Sequence, residues 1–170
     1  MVKRPEQERI RIEKIGYLEE KGVKPFGQRY DRTHNAETIV AEFDKYTKEE
    51  LEENTFVVRI AGRMMAKRRQ GKIGFINILD KFGSTQCYLS KEILGEENYD
   101  IFIKSDIGDI LGIEGSIMRT NTGQLTIKCT SFTHLTKAIR PLPEKFHGLQ
   151  DVEEARRRRY VDLIVNEESR

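Results

Sequence analysis

Soft metal-ligating side chains are scarce: 170 residues hold two cysteines and three scattered histidines. There is no CxxC, so a structural zinc site has no support. Cys87 and Cys129 fall on the inward faces of strand-like patterns, which predicts buried, reduced thiols. No apolar run approaches the roughly 18 residues of a membrane span. The charged start over residues 1–13 is not a secretory leader, so a soluble, cytoplasmic protein with no membrane partner is expected. GxSxG, HExxH, P-loop and GxGxxG motifs are all missing. No catalytic residue, metal or cofactor is therefore assigned to the chain, which is expected to bind without catalysing.

What is present is charge, and it is segregated. The chain is 37% hydrophobic and 34% charged, with a net charge of only +2. Between Phe56 and Leu89 lie seven basic residues and one acid, Asp80. Between Ala36 and Glu53 lie seven acids and two lysines. A basic surface beside an acidic one suits a polyanion bound on one face.

The hydrophobic period changes along the chain. Pro5 to Lys21 reads as a helix with Ile12, Ile15 and Leu18 at helical spacing, stopped by Gly22. His34 to Tyr46 holds a short helix with Ile39, Val40 and Phe43 on one side. Thr47 caps a further helix to Glu53, with Glu50 completing a capping box. Then alternation sets in. Strands are predicted at about Phe56–Arg68, Lys72–Asp80, Thr85–Ser90, Asp109–Arg119 and Leu125–Lys137, with a helix over Lys91–Ser105 between the third and fourth. Gly112 and Gly115 mark places where a barrel strand can bend. Three strands, a helix and two strands is the order of a five-stranded OB-fold Greek-key barrel. The fold class is thus mainly β with appended helices: an N-terminal helical extension (1–54), the barrel (55–138), a proline-stiffened linker (139–150) and a helix (151–170). That last helix spans Asp151 to Val165, with Val152, Tyr160, Leu163 and Ile164 as an apolar stripe that expects a further domain to pack on.

The binding residues come from the alternation. Ile76 and Ile78 face inward, so Phe75 and Asn77 face outward. An outward Phe beside arginines and an amide can stack an unpaired base. Arg68 and Gln86 can donate to a base edge or a phosphate, and Gln124 can offer an amide to the same region. Arg63, Lys67, Arg69 and Lys72 are expected to contact phosphates. Two blander readings stand beside this one: the N-terminal helices cover Phe75, or Tyr88 is outward only for its strand propensity.

Several runs carry a resemblance. They are GRMMAKRRQGKIGFINILD (Gly62–Asp80), GDILGIEG (Gly108–Gly115), LTKAIRPLPEKFHGLQD (Leu135–Asp151) and RRRRYVDLIVNEESR (Arg156–Arg170). Together with KGVKPFG (Lys21–Gly27), they make the chain resemble class II lysyl-tRNA synthetase of the bacterial type. The resemblance implies an OB-fold domain that binds the anticodon loop of a lysine tRNA, with the Phe75 position stacking on the middle uridine. It implies that the Arg68 and Gln86 positions join in recognition. The Gln124 position is commonly Glu in that family; here the run reads TGQLTI, keeping a carbonyl acceptor without the charge. For a full-length enzyme the resemblance implies ATP-dependent, magnesium-dependent attachment of lysine and a homodimer, with the Asp151 helix opening the catalytic domain. The alternative function is a sequence-tolerant single-strand-binding OB protein.

Overall fold

The computed structural model describes residues 5–143 and 151–170. These fall into two compact units, the first ending at Ile139 and the second starting at Arg140. Part of the expected linker, residues 144–150, lies outside the described residues.

Alternating apolar side chains build the first unit's core. Strands β1 (Val57–Gln70), β2 (Ile73–Asp80), β3 (Gly83–Ser90), β4 (Ile110–Arg119) and β5 (Leu125–Thr136) close into a barrel in the order β1-β2-β3-β5-β4. All neighbours are antiparallel except β3 and β5, which run parallel. Closure leaves no sheet edge to aggregate. Val58, Ile60, Met64, Ile76, Ile78, Leu111, Ile113 and Ile127 fill the interior at 0–1% exposure, with Cys87 and Cys129 among them. Burial pushes the Cys129 thiol up to about 12 and Cys87 well above its ordinary value, so both are inert there. The predicted OB-fold barrel is the observed one.

Gly115 shows why glycine stands in β4. A Cβ there would lie 2.0 Å from the Lys128 carbonyl oxygen. The β4–β5 register shifts between Glu114 and Gly115, so the strands approach closely as the sheet bends.

Helices α1 (Glu6–Glu20), α2 (Ala36–Phe43) and α3 (Lys48–Glu53) precede the barrel. Asn35 and Thr38 form a reciprocal capping box on α2, and Thr47 and Glu50 form the expected one on α3. α2 buries Ala36, Ile39 and Phe43. Val40, expected on that side, is 54% exposed, because i, i+3 and i+7 set the buried stripe here. Phe43, Tyr46 and Phe56 pack tilted ring on ring, with Phe43–Phe56 and Tyr46–Phe56 centroids 5.3 and 5.0 Å apart. This second small core fastens the extension to the start of β1.

The helix expected over Lys91–Ser105 is two: α4 (Lys91–Leu94) and α5 (Glu96–Lys104), broken at Gly95 with φ 82°. Phe102 from α5 is fully buried, and its ring occupies the space where Gly74 has no side chain. In the second unit the helix expected from Asp151 to Val165 is also divided, into α6 (Val152–Arg157) and α7 (Arg159–Val165), at Arg158 with φ −114° and ψ 47°. No helix among the described residues is long and apolar enough to cross a membrane.

A buried ionic cluster holds the start of β4. Asp109 is wholly buried. Its Oδ1 accepts from Lys137 Nζ and the Ala138 amide, both at 2.8 Å, and its Oδ2 accepts from the Asp106 amide at 2.8 Å. His134 Nε2 lies 3.1 Å from the same Oδ2. Asp106 in turn binds Lys137 and Lys14, which docks α1 on this end of the barrel. Asp109 thus satisfies backbone amides at the strand start, and the two acids together balance a buried lysine.

Burial alone would raise the Asp109 carboxyl, but its hydrogen bonds from His134, Lys137 and Asp106 and the Lys137 charge hold it at about 2. A carboxyl depressed in the folded state contributes stability above its ordinary value of 3.8, and that stability is lost as pH falls towards 2. Acid unfolding of the wild type should therefore steepen between about pH 4 and pH 2. In Asp109→Ala that component should vanish and stability at pH 7 should fall by about 3–5 kcal/mol, since the buried Lys137 loses one of its two carboxylate partners and the Asp106 and Ala138 amides lose their acceptor. Chemical denaturation across the pH range measures both.

Candidate nucleic-acid interface

A single extra residue decides what the barrel's outer face carries. In β1, Met64 pairs with Ile78 and Ala66 with Asn77, so Met65 forms a β-bulge. Past the bulge the alternation of β1 reverses. Arg68 then shares the outer face with Phe75, its register partner, while Lys67 turns to the inner side with Ile76.

Phe75, Tyr88, Lys128 and Ser116 follow one another in register from β2 through β3 and β5 to β4. Phe75 is half-buried. Tyr88 meets its ring edge-on, with centroids 5.3 Å apart and an interplanar angle of 61°. The Arg68 guanidinium lies 5.9 Å from the Phe75 ring centroid. One flank of this ring is braced by an aromatic edge, and a cation stands beside it. The N-terminal helices leave the ring accessible: Phe75 and Tyr88 line a groove of about 490 Å³. Ser116 and Lys128 continue its floor; α3, with Lys48 and Glu52, and the β4–β5 turn, with Thr120 and Asn121, line it too.

Two of the expected phosphate contacts already bind protein carbonyls. Lys67 Nζ donates to the carbonyls of Phe102, Ile103 and Ser105 at 2.7–2.9 Å. It caps the C-terminal end of α5, where orphan carbonyls and the helix dipole favour a cation. Burial pushes its ammonium down to about 8. Arg63 donates from Nη1 to the Gly108 carbonyl at 2.7 Å, and burial lowers it while the Asp109 charge opposes. Both support the segment leading into β4. Arg68, Arg69 and Lys72 are exposed around the β1–β2 turn, the last two beyond Arg68 from the groove.

Gln86 lies on the outer face between Asn77 and Thr126, but is only 8% exposed. Gln124 is exposed in the turn before β5, where its carbonyl accepts from the Thr120 amide at 3.0 Å. Phe75 and Arg68 are thus together, with Gln86 two register rows away on the same face and Gln124 in the turn near the groove's rim. Residues that sequence reading undervalued are Tyr88, Lys48 and Asn121. Tyr88 was signalled by its outward phase, one cross-strand partner from Phe75. Nothing in the sequence signals Lys48, because α3 reaches the groove through tertiary packing. Among the described residues no group of His, Cys, Asp and Glu is arranged to hold a metal ion.

Residues 58–135 match the model of the tRNA anticodon family, described as an OB-fold nucleic acid binding domain. The chain is 54% identical over 164 residues to the lysine–tRNA ligase of Streptococcus sanguinis, covering 96% of this chain and 33% of that relative. It is 51% identical to that of Pediococcus pentosaceus and 52% to that of Streptococcus thermophilus, with the same coverage. This chain carries the anticodon-binding OB domain of the lysyl-tRNA synthetase family. It spans about a third of the length of the curated relatives it matches.

Separate jobs for the two neighbouring cations of β1 can be measured. Arg68→Ala should weaken RNA binding and reduce the slope of log affinity against log salt by about 0.7, one released counterion for single-stranded RNA. Lys67→Met should leave that slope unchanged and cost about 1–3 kcal/mol of folding stability, because three carbonyls lose their donor. A salt titration of binding and a denaturant melt of each variant separate the two.

Proposed function

We propose that this domain binds the anticodon loop of a lysine tRNA and stacks the middle anticodon base on Phe75. The observation that carries the proposal is the half-buried Phe75 ring on the outer face of an OB barrel, with Tyr88 edge-on and Arg68 beside it. Stacking on such a ring is worth about 1–3 kcal/mol and tolerates any base. Selectivity must therefore come from donors and acceptors around the ring. Arg68 and Gln86 take the role of reading the base edge, and Gln124 offers an amide at the groove's rim. Arg69 and Lys72 neutralise phosphates and set the register without reading sequence.

In the full-length enzyme, which this reading takes to be a homodimer, the domain would select the tRNA for ATP- and magnesium-dependent attachment of lysine. The residues described here supply no part of that chemistry to this proposal. What they do is bind, orient and select RNA.

Fluorescence anisotropy with an anticodon stem-loop tests the proposal. Changing the middle uridine to cytidine should weaken binding tenfold or more. Phe75→Ala should weaken it by about 5- to 150-fold, the equivalent of 1–3 kcal/mol. Equal affinity for both loops, with a steep salt dependence, would instead favour a sequence-tolerant single-strand binder.

A further inference from the structure

The β4–β5 turn, which carries Gln124, is tied to the helical extension chiefly by Arg119. Arg119, the last residue of β4, is mostly buried and spreads its guanidinium between the α2–α3 connection and the β4–β5 turn. Nε donates to the Tyr46 carbonyl at 2.9 Å. Nη2 donates to the Asp44 carbonyl at 2.8 Å and pairs with the Asp44 carboxylate at 3.2 Å. Nη1 donates to the Gly123 carbonyl at 2.8 Å, one residue before Gln124. Asp44 is the C-cap of α2, so the guanidinium also satisfies an orphan carbonyl at the negative end of that helix. A second tie, from Lys48 Nζ to Asn121 Oδ1 at 3.0 Å, joins α3 to the tip of the same turn. The turn itself is internally ordered: the Gly123 amide donates to the Thr120 carbonyl at 2.8 Å.

We propose that Arg119 is a positioning residue that locks the β4–β5 turn to the α2–α3 segment, and so fixes the groove wall that selects a nucleotide flanking the one stacked on Phe75. The inference rests on the anticodon-loop reading. Its physical basis is geometric. Two of the groove's lining segments, α3 and the β4–β5 turn, belong to parts of the chain some 70 residues apart, joined across that gap by Arg119 to Asp44 and by Lys48 to Asn121. The α2–α3 segment is in turn anchored by the Phe43–Tyr46–Phe56 rings. Only a planar fork can serve the Asp44, Tyr46 and Gly123 carbonyls at once, so lysine is not an equivalent substitute. The extension thus acts as part of the binding groove's frame.

The test compares wild type, Arg119→Met, Arg119→Lys and Lys48→Met in two measurements. Backbone amide exchange at residues 120–124 should rise at least tenfold in Arg119→Met and by less in Arg119→Lys, while exchange at 73–79 stays at the wild-type rate. Binding of stem-loops substituted at the middle or flanking anticodon positions should show flanking discrimination reduced several-fold in Arg119→Met. Middle-position discrimination should be kept. Lys48→Met, at an exposed tie, should produce a smaller change in the same direction with no loss of folding. Unchanged exchange at 120–124 overturns the proposal, as does an affinity loss equal for every loop sequence. If the wild type discriminates at no position, the anticodon reading fails and the selective role of Arg119 fails with it, whereas altered flanking discrimination lost independently of Phe75 sustains the lock.

Discussion

Met65 is one residue more than a regular β1 would need, and the outer face of the barrel depends on it. Without the bulge, strict alternation from the buried Met64 would send Arg68 inward and Lys67 out. The result would be a buried guanidinium and no ammonium on the Phe102, Ile103 and Ser105 carbonyls at the end of α5. With the bulge, Arg68 stands by Phe75 and Lys67 closes α5. The same local distortion therefore serves binding on one side of the strand and stability on the other.

The polar groups of the first unit sort by role. One cluster, centred on Asp109, Lys137 and Asp106, is buried and fully engaged in holding α1 and the start of β4. Arg63 and Lys67 belong with it through the carbonyls they serve between Phe102 and Gly108. The basic side chains at the β1–β2 turn remain exposed, and there the aromatic floor of Phe75 and Tyr88 begins. Charge count alone does not mark a binding face; the distinction lies in which cations already have protein carbonyls to bind.

Much of this was legible in the residues. Period-two alternation located all five strands to within a few positions, because both the interior and the solvent impose it. The capping box at Thr47 and Glu50 and the break after α1 were readable because they are local chemistry. Phe75 and Arg68, expected close together, are register partners. What could not be read depends on tertiary contact. A bulge leaves no mark in composition, so the inward turn of Lys67 was hidden, and the bond from Arg63 to the Gly108 carbonyl comes from a segment 45 residues away. The break at Gly95 was hidden inside an apolar pattern that continues through it. α3 enters the groove wall through tertiary packing, with the Phe43, Tyr46 and Phe56 rings holding the extension against the barrel.

The central claim is one of place: RNA lands on the Phe75 face and on no other. Nuclear magnetic resonance titration of the isotopically labelled chain with a lysine-tRNA anticodon stem-loop tests it directly. The account predicts large shift changes in the Phe75 and Tyr88 ring signals and in the Arg68 side chain. It predicts little change at Lys67, Lys137 and α5. Perturbations gathered on α1, α5 and the Asp109 cluster, with the Phe75 ring unmoved, would contradict it.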